Sequence, residues 1–390
     1  MPPAAKLDFP IFESCPQTIL PRNALQLQPS PHHGIDGAML IEENRPLAPL
    51  TTFGIGGPAR WFAEATSEDE IVEATAWAHR RGLALFVLGG GSNLLVADAG
   101  FNGLVLKVAL KGISTELGPA GTYRVAAGED WDYLVQRTLE DSCAGLECLA
   151  GIPGTVGGTP VQNVGAYGQE VAPVIDRVRA FDFEARTFVE FTAAECGFSY
   201  RRSRFNSTDQ GRFLVTRVDY RLTPGGPPTL RYAELQRALI ETAGAGVEPG
   251  LMEVAKTVRR IRRGKGMLLV EGDADCRSAG SFFKNPIIDA DALVKIAAAS
   301  GTQPPKFPAG LGVENSGRVK VPAAWLIEQA GFRKGYRLGA AGISSRHTLA
   351  LINTGGATAA DLLMLAAEIR DSVEAKFAIQ LEMEPVMVGF

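Results

Sequence analysis

GGGSNLLV, from Gly89 to Val96, follows directly on the strand-like run Ala84 to Leu88, and GIPGTVGGTPVQNVGAYGQE runs from Gly151 to Glu170. In the first stretch successive small residues leave a strand, so their backbone N–H groups can form a nest for an anion such as a pyrophosphate. The second combines glycines with Gln162 and Asn163, which suits close approach of backbone to a flat, polar cofactor. Either stretch alone is equally compatible with a tight turn at positive φ. A third, GIGGPA from Gly54 to Ala59, fits G-x-G-x-x-A in form only: that fingerprint leaves a strand and opens a helix, whereas here the strand-like Arg60 to Ala65 follows.

Outward from these stretches the pattern is regular. Ser67-Glu68-Asp69-Glu70 is a capping box that starts a helix with Ile71, Ala74, Thr75 and Ala78 on one face, ending at Gly82. Strands are expected at Ala84 to Leu88, Leu104 to Val108 and Tyr123 to Ala127, then a helix from Asp130 to Asp141 and β-rich sequence over Arg177 to Phe191 and Arg212 to Leu222. Thr223 to Pro228 marks a boundary. Beyond it helices are expected around Met252 to Arg262, Asp289 to Ala299, Pro322 to Ala330 and Thr358 to Phe377, with a buried strand from Thr348 to Ile352. Strands and helices mix in every segment without a repeat period, which describes an α+β or α/β multidomain enzyme. The residues before about Ile41 are rich in proline and aperiodic and read as a partly disordered extension.

The 390 residues, 46% hydrophobic and 21% charged, have the balance of a soluble globular protein of two or three domains. A formal net charge of -4 gives no footprint for nucleic acid. The five cysteines (Cys15, Cys143, Cys148, Cys196, Cys276) are scattered and have no histidines at zinc spacing, which points to a reduced, cytoplasmic protein without a bound metal. There is no signal-peptide pattern and no apolar run near the ~18 residues of a membrane span.

Taken together, the blocks resemble the UDP-N-acetylenolpyruvoylglucosamine reductase family. In order they are Pro49-Leu50 with Thr51-Thr52-Phe53, GGGSNLLV, GLECLAGIPGTVGGTPVQNVGAYGQE (145–170), FSYRRSRF (198–205), AGSFFKNP (279–286), AAWLIEQAG (323–331) and HTLALINTGGATAADL (347–362). The resemblance covers about residues 43 to 390. It implies an α+β chain: an extension (1–42), a two-subdomain FAD-binding domain of the vanillyl-alcohol-oxidase type (43–225), a connecting and substrate-loop segment (226–265), and a smaller α/β substrate-binding domain (266–390). It further implies non-covalent FAD, NADPH as electron donor, a UDP-sugar substrate and a monomeric protein. The cofactor positions carried over are Gly89, Gly90, Gly91, Ser92, Asn93, Pro153, Gly154, Gly157, Gly158, Gln162, Asn163 and Gly165.

Reduction of an enolpyruvyl double bond needs a hydride at one carbon, a proton at the other, and stabilisation of charge on the adjacent carboxylate. The flavin carries the hydride, since no side chain can. Ser281 matches the family's proton donor, although alone it reads as a turn serine. Arg201 matches the active-site arginine, although a basic triplet with Arg202 and Arg204 is usually a solvated edge. Glu384 matches the catalytic glutamate. Tyr200, Tyr232, Lys265, Asn285 and His347 match substrate contacts, with Tyr232 in a loop that covers the substrate. Arginines beside Lys265 also suit a helix C-terminus whatever the function.

The sequence departs from the family pattern in three places. The extension has no counterpart. Gly264-Lys265-Gly266-Met267 replaces the usual Lys-Leu-Pro form, and Leu381-Glu382-Met383-Glu384-Pro385 replaces Leu-Glu-Pro-Glu. Strand alternation would place Glu382 and Glu384 on one face, and Pro385 would place that strand near an end or edge; the catalytic role is assigned to Glu384. Two rival readings are a sugar or aldonolactone oxidase on the same cofactor domain, which needs neither AGSFFKNP nor the final glutamate, and a non-catalytic sensor of a cell-wall precursor.

Overall fold

Ser67 caps the first helix as its sequence predicts: its side chain accepts from Glu70 N, and the Glu70 carboxylate accepts from Ser67 N, so Glu68–Arg80 buries Ile71, Ala74, Thr75 and Ala78. That helix covers a four-stranded sheet in the computed structural model, which describes residues 39–244, 246–309 and 317–390. The sheet order is Ile41–Pro46, Pro58–Ala65, Phe101–Val108, Ala84–Leu88, with the last three strands mutually parallel. Gly89 therefore emerges at the carboxyl end of a parallel strand. Most of the extension, with Cys15, His32 and His33, lies outside the described residues, but Ile41 and Glu42 belong to the edge strand.

A second sheet is antiparallel throughout, in the order Thr187–Thr192, Ile175–Asp182, Phe213–Pro224, Gly121–Ala126, Ile113–Leu117. One core joins both sheets: Ala63, Leu104 and Leu106 from the first pack in the same cluster as Tyr123, Val178 and Tyr220 from the second. Trp131, 1% exposed at the start of helix Trp131–Glu140, sits in this cluster and donates its indole N–H to Leu149 O at 3.1 Å. Truncating it to alanine would cost about 3–5 kcal/mol.

The last third has its own core around helix Ala359–Phe377, which buries Leu362, Leu365, Ile369 and Val373. That core takes in Phe53, Ile55 and Leu95 from the first sheet's neighbourhood. Val386–Val388 pairs in parallel with Leu94–Val96, and Asp98 accepts the N–H groups of Ala359 and Ala360 at 2.7 and 3.1 Å. The end of the chain is thus stitched to the residues after the first glycine stretch.

Several local expectations change. Leu381 to Pro385 is not a strand: it makes one bridge, Met383 to Phe283, while Lys284 N donates to Glu382 O and Glu384 N to Phe282 O. Pro385 has no N–H, and there the chain changes partner, so that Val386 N reaches Asn93 O at 2.9 Å. The strand expected at Thr348 to Ile352 is Leu351–Asn353, because Ala350 N turns back to His347 O. Helix Ala233–Ala243 lies in the segment read as connecting; its N-cap is Tyr232, which gives no side-chain cap and so no start signal.

Candidate active site

The two glycine stretches touch. A Cβ on Gly90 would lie 2.6 Å from Gly154 Cα, and one on Gly91, at φ 65°, would lie 1.8 Å from Leu50 O. Neither position accepts a side chain without backbone movement. Among the described residues, the N–H groups of Gly90, Gly91, Ser92 and Asn93 donate to no protein acceptor. Consecutive free donors of this kind fit a pyrophosphate, the charged centre of FAD. Gly89 faces Thr155 Oγ1, a Cβ on Gly154, which follows Pro153, would lie 2.8 Å from Ser92 Oγ, and among the described residues nothing lies within 4 Å of a Cβ on Gly158. Gly157 differs, because it packs on Ala127 and donates to Ala127 O at 2.8 Å.

The amides in these stretches hold the backbone. Asn93 Nδ2 donates to Gln162 Oε1 at 2.8 Å and to Glu384 O at 3.3 Å, joining both glycine stretches to the end of the chain. Asn163, 1% exposed, donates to Glu170 and Ser199 O and accepts from Ala172 N. Its polar groups are committed inside the protein, which suits support of the loop better than contact with a cofactor.

At the convergence of these segments Arg201 Nε donates to Glu384 Oε1 at 2.9 Å, and Arg201 Nη2 donates to Gly165 O at 2.7 Å. Arg201 is held at φ 56°, and nearby Asn163 and Tyr167 are at 44° and 49°. Left-handed conformations at non-glycine residues cost of order 1–3 kcal/mol each and cluster at functional sites. Burial pushes the Glu384 carboxyl above its ordinary range, against the opposing pull of Arg201 and Lys284. Burial also works against the Arg201 charge, but Glu384, Tyr200 and Glu170 outweigh it and hold the guanidinium protonated. Glu382 points elsewhere: its side chain is 70% exposed and paired with Lys284.

Ser281 lies between Gly280, at φ 75°, and the buried Phe282 and Phe283. Phe282 O is the acceptor for Glu384 N, so the segments carrying Ser281 and Glu384 are directly bonded. The Ser281 hydroxyl is half-buried and has no hydrogen-bond partner among the described residues. Tyr200 lies beside Asn285, whose Oδ1 accepts from Ala323 N at 2.9 Å. Lys320, which the sequence did not mark, places its ammonium 4.3 Å from the centre of the Tyr200 ring; burial and the neighbouring Arg201 pull its pKa down. No local pattern distinguishes this lysine, because only the fold brings it to Tyr200.

Tyr232, Lys265 and His347 form a second group. Lys265 caps helix Leu251–Gly264, and its ammonium lies 2.6 Å from Glu234 and 5.9 Å from the Tyr167 ring. Tyr232 packs edge-on against Tyr167 at 5.5 Å. It is the N-cap of helix Ala233–Ala243 and the last residue of the irregular segment 226–232. Burial, with Lys265 and Lys334 nearby, lowers the His347 pKa to about 4, so the ring is neutral at pH 7. Among the described residues no cluster of three His, Cys, Asp or Glu is placed for a metal ion, and no helix is long and apolar enough to cross a membrane.

Residues 59–185 match the family model described as FAD binding domain, and residues 272–388 match UDP-N-acetylenolpyruvoylglucosamine reductase, C-terminal domain. The reductase of that name from Streptomyces coelicolor is 47% identical over 352 residues, 88% of this chain and 89% of that one. The Thermobifida fusca reductase is also 47% identical, over 89% of this chain and 97% of its own. Among solved structures, the reductase from Thermus caldophilus superposes with a TM-score of 0.61 at 27% identity, covering 90% of this chain and 100% of that one.

Proposed function

The chain belongs to the UDP-N-acetylenolpyruvoylglucosamine reductase family and is an FAD-dependent oxidoreductase, and from that premise we propose that it reduces the enolpyruvyl double bond of UDP-N-acetyl-3-O-(1-carboxyvinyl)-glucosamine to give UDP-N-acetylmuramate. In this reading NADPH is the electron donor, FAD is held non-covalently, and the reaction is a cytoplasmic step of peptidoglycan precursor synthesis.

The observation that carries the proposal is the Arg201–Glu384 pair, bonded through backbone to both the Asn93 and the Ser281 segments. The free N–H groups of Gly90 to Asn93 would hold the FAD pyrophosphate, and the flavin, once reduced by NADPH, would supply the hydride. Hydride addition to the terminal carbon of the enolpyruvyl group sends the double-bond electrons to the carbon bearing the carboxylate and on to its oxygens. Arg201 meets the substrate carboxylate with a fixed positive charge in a site that excludes most water. Glu384, bonded to Arg201 at 2.9 Å and with its carboxyl pushed up by burial, orients that guanidinium toward the oxygens where charge accumulates. Ser281, with its hydroxyl uncommitted, gives a proton to the carbon beside the carboxylate and completes the reduction. Lys265, Tyr232, Tyr200, Asn285 and His347 hold the sugar nucleotide, with Lys265 set against its diphosphate.

Incubation of the FAD-loaded protein with the enolpyruvyl sugar nucleotide and NADPH tests this. Mass spectrometry should show a product heavier by two hydrogens, formed in step with NADPH consumption. NADPH oxidation that depends on oxygen and leaves the sugar nucleotide unchanged would contradict it.

A further inference from the structure

Helix Leu251–Gly264 does more than present Lys265. Arg259 and Arg262 lie three residues apart on one face of it, and both reach Gly151, the first residue of the second glycine stretch. Arg262, 7% exposed, donates Nε to Gly151 O at 3.0 Å and Nη2 to Met267 O at 2.6 Å. One guanidinium therefore fixes the glycine stretch and the turn that follows Lys265. The other polar group of Gly151, its N–H, donates to Asp132 Oδ1 at 2.6 Å. Arg259 closes the ring, with Nη2 2.7 Å from Asp132 Oδ1 and Nη1 2.6 Å from Asp132 Oδ2. Gly151 is at φ 73°, and a Cβ there would lie 2.7 Å from Leu268 Cδ1, so the chain passes against the turn after Lys265 without room for a side chain.

We propose that Arg259 and Asp132 are positioning residues for the substrate's diphosphate, locking the helix end that carries Lys265 onto the segment that holds the cofactor. The proposal rests on the reading of Lys265 as a diphosphate contact. Bidentate pairing between a guanidinium and a carboxylate is the geometry that fixes orientation as well as distance. Without it the helix end is held to the cofactor segment through Arg262 alone and can pivot about that single guanidinium. The lysine would then meet the diphosphate less well, and the reacting atoms, which depend on Arg201, Ser281 and Glu384, would be undisturbed.

The test uses FAD-loaded enzyme and steady-state kinetics on the enolpyruvyl sugar nucleotide. Arg259→Gln should raise KM about tenfold, the scale of one charge-assisted hydrogen bond, with kcat within twofold and flavin content unchanged. Asp132→Asn should raise KM similarly, and the double variant should add little to either single change, since both break one pair. Arg259→Lys, which keeps the charge but not the fork, should recover part of the loss and guards against a folding defect in the glutamine variant. Lys265→Ala separates the two levels. If it raises KM while Arg259→Gln and Asp132→Asn do not, the clamp is structural only and the proposal is overturned. If Lys265→Ala leaves KM unchanged, the diphosphate reading fails and the proposal with it. A fall in kcat as large as the rise in KM for Arg259→Gln would also overturn it.

Discussion

Arg201 and Glu384, 183 positions apart in the chain, meet as a hydrogen-bonded ion pair at 2.9 Å, with side chains only 20% and 13% exposed. Glu382, two residues from Glu384, is 70% exposed and paired with Lys284. Glu384→Gln should therefore slow substrate-driven reoxidation of the flavin by at least ~100-fold, the lower range for losing a general acid–base group. Glu382→Gln should change it only a few-fold. Stopped-flow absorbance of the flavin reads both; a larger loss for Glu382→Gln would reverse the assignment.

The Ser281 hydroxyl, without a hydrogen-bond partner among the described residues, lies beside the segment bonded to Glu384. Ser281→Ala should leave reduction of the flavin by NADPH nearly intact and slow its reoxidation by the enolpyruvyl substrate, because a lost transition-state interaction affects only its own half-reaction. Equal slowing of both halves would make Ser281 a structural residue.

Gly90 touches the backbone of Gly154. Gly90→Ala forces the two glycine stretches apart, an overpacking cost of about 1–3 kcal/mol, and should weaken FAD binding about 10- to 100-fold. Flavin content of the purified variant, and its recovery on titration with FAD, measure this directly.

His347 gives a pH signature. The unfolded chain takes up a proton near the ordinary histidine pKa of 6.5, whereas folded His347 refuses it until about pH 4. Stability from this group is fully present above 6.5 and is lost as pH falls toward 4. His347→Gln should lose less melting temperature than the parent between pH 7 and pH 5, by a few degrees at most. A parallel decline in both proteins would remove His347 as the cause.

Much of the fold was legible where a residue carries its own signal. Ser67 with Glu70 announces a helix, and Gly89 to Asn93 announce a strand exit with exposed donors. The ends of the chain were harder. Leu381 to Pro385 has strand-like residues, yet its partner changes at Pro385 because of two separate neighbours that the local sequence does not name. Ile41–Pro46, an edge strand of mainly exposed polar residues with Asn44 at φ 53°, shows no alternation to find. In the site, resemblance to a family marked Arg201, Ser281 and Glu384 residue by residue. Lys320 and the Asp132–Arg259 pair were invisible, since each acquires its neighbours only when distant segments pack.

The most direct measurement is an anaerobic titration of the FAD-loaded protein followed by its visible spectrum. NADPH should bleach the oxidised flavin, and the enolpyruvyl sugar nucleotide, added without oxygen, should restore the colour in proportion to the UDP-N-acetylmuramate formed. A flavin that stays bleached until air is admitted would contradict the account.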